Sequence, residues 1–164
     1  MTIVAAFLVH GQPLPFLESE IPAFRPLVDG YKAAAKALAA AKPDVILAYS
    51  TQWIAVLDEL WQTRPRLAGV HVDENWYQHG DLEYDITIDR ELAEACVVGS
   101  QEAGINSKAV DYDGFPIDSG SIVMANSLDP QHRYRYVLAS NNVYHDPAMT
   151  EKIAAMAVSK AHKL

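Results

Sequence analysis

Two apolar runs that stop abruptly at polar residues constrain this chain more than any other feature. Thr2–Val9 ends at His10 and Gly11, and Tyr136–Ser140 ends at a pair of asparagines that leads to His145. Such runs are typical of buried strands in a parallel sheet, where ligands bind beyond the carboxyl ends. We therefore expect His10 and His145 to face one cleft. The alternative for each is a loop histidine that only caps a strand end.

Further strands and helices are expected to alternate along the chain. The other predicted strands are Asp44–Ser50, Gly69–Val72, Tyr84–Ile88 and Ile105–Val110. The predicted helices are Gly30–Lys42 after an Asp29 cap, an apolar stripe from Trp53 to Trp61, a segment from Asp89 to Gly104, Ser119–Ser127, and a last helix opened by Asp146 and Pro147. This order predicts a single α/β domain over residues 1–164, with a mostly parallel sheet and helices on both faces.

Composition excludes several classes of protein. Of the 164 residues, 50% are hydrophobic and 21% are charged, which favours a packed core over disorder. The net charge of −8 argues against nucleic-acid binding. No apolar run is long enough to span a membrane, and no basic region precedes the first run, so we expect no signal peptide. The single cysteine, Cys96, excludes an internal disulfide and favours the cytoplasm.

Titratable side chains follow a third predicted strand, at Asp111 and Asp113, and together with His10 and His145 they form one candidate set for acid–base chemistry. A second candidate set has the donor types of a divalent-metal site but not the spacing of a helical metal motif: His71, Asp73, Glu74 and His79. The serines lie outside any Gly-x-Ser-x-Gly elbow, and no glycine-rich phosphate loop is present. An esterase and a nucleotide-binding protein are therefore disfavoured.

Five stretches resemble one known family. They are Ala6–Gly11, Lys42–Trp53, His71–Tyr77, Val110–Asp118 and Leu138–His145. Together they are similar to the class III extradiol (LigB-type) dioxygenases, and within that superfamily most similar to the α subunits of the aminophenol-cleaving enzymes. The stretches cover nearly the whole chain in order.

The resemblance implies a site that holds Fe(II) with two histidines and a glutamate. His10 matches the first histidine, whereas Thr51–Trp53 stands where the second would be. The segment Tyr112–Gly114 replaces a further histidine near the substrate, and His145 matches the acid–base histidine. The family's glutamate ligand lies downstream of the last residue here, Leu164. One ligand of three is retained, so we expect that this chain alone does not bind Fe(II) well.

Three functions are consistent with this pattern. The first is an accessory subunit that pairs with a catalytic β-type subunit, or with itself, through the aromatic loop at Trp76 and Tyr77. The second is a stand-alone enzyme that acts on a small aromatic compound through a rebuilt site of His10, Asp113 and His145. Tyr112 is a further catalytic candidate in that site. The third is a module that binds a small molecule without chemistry.

The end of the chain carries one more expectation. The last predicted helix has a clear start signal, and basic residues, including Lys160 and Lys163, lie in its final turn. A chain cut at random would less often end in this way, so we expect the short form to be native.

Overall fold

The computed structural model describes residues 3–162. Its helices are α1 (Pro13–Leu17), α2 (Arg25–Ala41), α3 (Arg90–Glu102), α4 (Ser119–Leu128) and α5 (Pro147–Ala161), with short 3-10 turns at Pro22–Phe24 and Tyr77–His79. Its strands are β1 (Val45–Ala55), β2 (Glu59–Gln62), β3 (Arg66–His71), β4 (Leu82–Ile88), β5 (Ser107–Val110) and β6 (Arg135–Asn142). Thr2 and Lys163, which belong to predicted elements, lie outside the described residues.

The strands form one mixed sheet of six in which β6 is central. The order is β3-β4-β6-β2-β5, and β1 pairs with β6 as well. The pairings β1–β6, β2–β5 and β4–β6 are parallel, whereas β3–β4 and β2–β6 are antiparallel. The predicted α/β class with a mostly parallel sheet is therefore confirmed.

Two groups of helices pack against this sheet. Helix α3 contacts α5 and strands β2, β5 and β6, whereas α4 contacts α2 and strands β1 and β4. Fully buried side chains of the strands and of α4 belong to the core, among them Trp61, Ile122 and Val137. No helix of residues 3–162 is long and apolar enough to cross a membrane.

Side-chain caps fix where several helices begin. The carboxylates of Asp89, Asp118 and Asp146 accept hydrogen bonds from the backbone amides of Leu92, Ser121 and Met149. The predicted starts at Asp89 and Asp146 are confirmed, as is the left-handed Gly104 after α3 (φ 78°). Helix α2 differs, because it begins at Arg25, and Asp29 lies inside it rather than at its cap.

The predicted N-terminal strand is wrong for the described part of Thr2–Val9. Residues 3–9 pair with no strand, and most of their apolar side chains are exposed, with Leu8 at 101%. The segment runs beside β1 but is separated from it by an apolar groove of about 590 Å³. An apolar run indicates a preference for burial, but it becomes a strand only where a neighbouring edge is close enough to share hydrogen bonds. His10 therefore does not end a strand here.

The predicted helix from Trp53 to Trp61 is also wrong, because this stretch forms the end of β1, a bend and β2. Trp53 and Ala55 are buried while Ile54 between them is 61% exposed, which is the two-residue alternation of a strand. The helical spacing of the apolar residues in this stretch is a coincidence, and three of the five, namely Trp53, Val56 and Trp61, are of the aromatic or β-branched type that favours a strand. The first part of β1 is less buried than predicted, since Leu47 and Tyr49 are each 40% exposed.

Candidate functional site

A bulge in β1 creates the first polar cluster. Tyr49 pairs with Ala139 of β6, but the next pairing joins Ile54 to Asn141, so extra residues of β1 loop out of the ladder. Bulges of this kind redirect side chains. Here the bulge contains Gln52, which points to Gly11 and to the start of α4.

The amide of Gln52 bridges two segments of the chain. Its Nε2 donates to the carbonyl oxygen of Gly11 at 3.0 Å, and its Oε1 accepts from the hydroxyl of Ser119 at 2.7 Å. Gly11 and Gly120 touch behind this bridge, since a Cβ on Gly11 would lie 2.7 Å from the Cα of Gly120. Both ends of the amide are therefore used inside the protein.

Asp118 extends the same network. Its Oδ2 accepts from the Ser50 hydroxyl at 2.5 Å and from the Ser121 backbone amide at 2.9 Å. Its Oδ1 accepts from the Ser121 hydroxyl at 2.7 Å. This carboxylate has three donors and sits at the start of α4, where the helix dipole favours negative charge. We name this set of Gly11, Ser50, Gln52, Asp118 and Ser119 the Gln52 network.

His10 lies beside this network with its ring turned to Tyr31. The rings of His10 and Tyr31 meet edge to face at 4.9 Å between centroids, and the Tyr31 hydroxyl donates to the His10 carbonyl oxygen. Burial lowers the pKa of His10. Its Nδ1 accepts from the backbone amide of Gln12 at 3.2 Å, so the neutral ring carries its proton on Nε2.

These residues do not fit the Fe(II) site that the family resemblance implies. A histidine that ligates a metal through Nε2 normally donates from Nδ1, whereas Nδ1 of His10 accepts. Gln52 belongs to the stretch Thr51–Trp53, where the resemblance implies the second ligand, and its amide nitrogen and oxygen each have a protein partner. Among residues 3–162, no group of three or more His, Cys, Asp or Glu side chains is arranged to hold a metal ion.

The second candidate metal set is dispersed into separate contacts. His71 stacks on Trp76, and the carboxylate of Asp73 accepts from the amide groups of Asn75. His79 pairs with Glu18 of the segment after α1, with 3.1 Å between Nδ1 and Oε1.

The loop residues Tyr112 and Asp113 face solvent. The Asp113 side chain is 92% exposed and forms an ion pair with Arg64, and Tyr112 meets Phe115 edge to face. Within residues 3–162, no hydrogen bond, ion pair or ring contact joins either residue to His10 or His145. The catalytic role assigned to this loop therefore stays a prediction.

His145 lies in a second polar cluster, after β6. A turn holds it there, because Asn142 accepts from the backbone amide of Tyr144 through its side chain and from that of His145 through its carbonyl oxygen. Nδ1 of His145 lies 3.4 Å from Oε2 of Glu59. No hydrogen bond, ion pair or ring contact within residues 3–162 joins His10 to His145, so the cleft that they are expected to share stays a prediction.

Glu59 is the functional candidate that sequence reasoning missed. It begins β2, its side chain is fully buried, and the hydroxyl of Ser140 lies 3.4 Å from its Oε1. Burial raises the pKa of Glu59 from 4.5 to about 7. The signal for Glu59 in the sequence is its place beside Leu60 and Trp61 in a short apolar run. The helical spacing of that run predicts a helix, and this prediction hides the buried position of Glu59 in a strand.

Comparison with known proteins relates the chain to both subunits of a dioxygenase. It is 49% identical over 160 residues to the 2-aminophenol 1,6-dioxygenase alpha subunit of a Pseudomonas species, a match that covers 97% of this chain and 59% of that protein. It is 29% identical over 153 residues to the beta subunit, covering 92% of this chain and 50% of that protein. No family model matches the chain.

These similarities confirm the resemblance to aminophenol dioxygenase subunits that the motifs indicated. The chain spans between half and three-fifths of the length of these relatives. For this chain, the activity, substrate and partners of these relatives are therefore proposals.

The close contact behind the Gln52 network gives a first prediction. In a Gly11→Ala variant the new Cβ would lie 2.7 Å from the Cα of Gly120 and 2.8 Å from Nε2 of Gln52. We expect the free energy of unfolding to fall by about 1–3 kcal/mol, because the clash is with a backbone atom and the backbone would have to move to relieve it. Urea denaturation measures this.

Gly30→Ala is the matched control, since Gly30 lies inside α2 with nothing within 4 Å of an added Cβ. This variant should gain about 0.5–1 kcal/mol from better helix propensity. Equal stability of Gly11→Ala and the wild type would show that the close contact is absent.

The buried carboxyl of Glu59 predicts how stability depends on pH. Its pKa is about 7 in the folded protein against 4.5 ordinarily, so the folded state holds more protons between these values. The free energy of unfolding should therefore fall as pH rises through this range, by on the order of 2–3 kcal/mol, and then level off. His145 and Tyr49 are the titratable groups that face this carboxyl.

Glu59→Gln should remove most of this pH dependence, because it keeps the size and loses the titrating group. The exposed Glu74→Gln is the matched control and should behave as the wild type. Urea denaturation at several pH values separates the variants. If the free energy of unfolding of Glu59→Gln depended on pH as that of the wild type does, Glu59 would be ruled out as the source of the dependence.

Proposed function

We propose that this chain is an α-type accessory subunit of a class III extradiol dioxygenase that acts on a small aromatic compound of the aminophenol or catechol type. A partner chain of the β type would hold the Fe(II). The observation that carries the proposal is the Gln52 network: in the stretch where the resemblance implies a metal ligand, the nitrogen and the oxygen of the Gln52 amide each have a protein partner. The similarity to both dioxygenase subunits supports it.

The exposed apolar edge supports a partner in this proposal. Ile3, Val4 and Leu8 are 65%, 55% and 101% exposed, and they lie along the groove beside the open side of β1. An apolar surface of this kind is a common mark of a protein–protein interface. The aromatic loop adds Tyr77, which is 62% exposed, whereas Trp76 is partly buried against His71.

Two further features belong to the proposal. Cys96 is free and buried in α3, and we place the assembly in the cytoplasm because a chain with one thiol needs no oxidising compartment. The accessory chain would stabilise or regulate its partner and would not cleave the ring itself. A self-dimer through the same edge is the alternative assembly.

Co-expression with a β-type subunit of an aminophenol dioxygenase tests the proposal. We expect a complex by size-exclusion chromatography, ring cleavage of 2-aminophenol by the complex, and none by this chain alone. Ring cleavage by the isolated chain would contradict the accessory role. A chain that forms no complex and leaves the activity of its partner unchanged would contradict the subunit assignment.

Two surface variants locate the interface. Leu8→Glu places a charge on the apolar edge and should reduce complex formation at least tenfold, because a buried unpaired charge is costly. Leu57→Glu is the matched control, since Leu57 is 83% exposed at the bend between β1 and β2. Equal loss in both variants would show that this edge is not the docking surface.

A further inference from the structure

We propose that Glu59 is a positioning residue for His145, the histidine that the resemblance matches to the acid–base group of the family. Glu59 holds Nδ1 of His145, and Nε2 is left to accept or release a proton at the end of β6. The inference concerns this chain alone and does not depend on a partner subunit or on iron. It can therefore fail while the accessory role holds, and the reverse is also true.

The geometry of the pair carries the inference. Nδ1 of His145 lies 3.4 Å from Oε2 of Glu59, and the side chains are 16% and 0% exposed. Oε2 has no hydrogen-bond donor within the described chain, which is costly for a buried carboxylate oxygen. The separation of 3.4 Å is at the long end of hydrogen-bond distances, so a hydrogen bond from Nδ1–H to Oε2 requires the imidazole to move closer. Hydrogen bonds of acid–base groups are often long before a ligand binds.

The other carboxyl oxygen is held separately, which fixes the orientation of the carboxyl group. The hydroxyl of Ser140 accepts from the backbone amide of Leu60 at 2.8 Å and can then donate to Oε1 of Glu59 at 3.4 Å. Oε1 thus faces β6 and Oε2 faces the imidazole. Because β2 and β6 pair at Trp61 and Ala139, both ends of this arrangement stand on the rigid centre of the sheet.

The protons of the pair divide into an inner and an outer one. The inner proton lies between Oε2 of Glu59 and Nδ1 of His145, on either atom. The outer proton is on Nε2. When it dissociates, the pair loses one positive charge, and the lone pair of Nε2 can then accept a proton. A proton taken from an acidic group of a ligand goes to Nε2 and the ligand keeps the electron pair.

Groups on the neighbouring elements support this arrangement. Tyr49 of β1 donates to Oδ1 of Asn141 at 2.5 Å, and its ring is 40% exposed beside the cluster. Burial raises the pKa of Tyr49, the hydrogen bond with Thr150 of α5 lowers it, and the charge of Glu59 raises it further. Tyr49 therefore stays neutral near pH 7 and is not the group that takes a proton from a ligand.

The tautomer of His145 tests the proposal directly. The probe is the isolated chain labelled with ¹⁵N, observed by long-range proton–nitrogen NMR at a pH well above 7, where Glu59 is ionised. We expect Nδ1 of His145 to carry the proton and Nε2 to be bare. His10 gives an internal contrast, because its Nδ1 accepts from Gln12 and its proton lies on Nε2.

Two variants of Glu59 distinguish a role in positioning His145 from a role in folding alone. Glu59→Met fills the space without an acceptor and should lose the Nδ1–H form of His145, whereas Glu59→Gln retains an acceptor and should restore it. Glu18→Met removes the exposed carboxylate beside His79 and is the matched control, which should leave the His145 signals unchanged. An Nε2–H tautomer in the wild type, or the same tautomer in Glu59→Met, would overturn the proposal.

Discussion

Strand β6 carries the constraint on which the rest of the structure depends. It pairs with β1 on one side and with β4 and β2 on the other, and nearly all of its residues are buried. Both polar clusters are positioned from it. The bulge that presents Gln52 arises where β1 loses register with β6, and His145 follows the turn at the end of β6. A change in the register of this strand would therefore move both clusters at once.

The two clusters differ in how far the hydrogen-bonding capacity of their buried polar groups is satisfied. In the Gln52 network, both polar atoms of the glutamine amide and both oxygens of the Asp118 carboxylate have a protein partner. A polar network satisfied in this way makes the local structure rigid. In the second cluster, Oε2 of Glu59 lacks a donor and faces an imidazole that can supply one. Chemistry is therefore expected at the second cluster rather than the first.

Sequence reasoning predicted the fold class and the capped helices, because caps and apolar periodicity are local signals. The starts of α3 and α5 follow from Asp89 and Asp146, each of which binds an amide three residues on. Residues 3–9 and Trp53–Trp61 were assigned wrongly, since an apolar run does not specify which edge it pairs with or whether its period is that of a strand.

The site was predictable only in part. His10 and His145 were both singled out, but the expectation of one shared cleft rested on an N-terminal strand that the structure lacks. Glu59 went unnoticed because its importance comes from contacts with Ser140 and His145, which are distant in sequence. Neither the bulge in β1 nor the two hydrogen bonds of the Gln52 amide leave a local signature in the sequence, so this network could not be predicted.

The measurement that tests the central claim most directly is an anaerobic titration of the isolated chain with Fe(II), alongside a His10→Ala variant. If the Gln52 network closes the position of the metal ligand, neither protein should bind iron stoichiometrically at micromolar concentration. One equivalent of tightly bound iron in the wild type, lost in His10→Ala, would contradict this and show that His10 belongs to a working metal site.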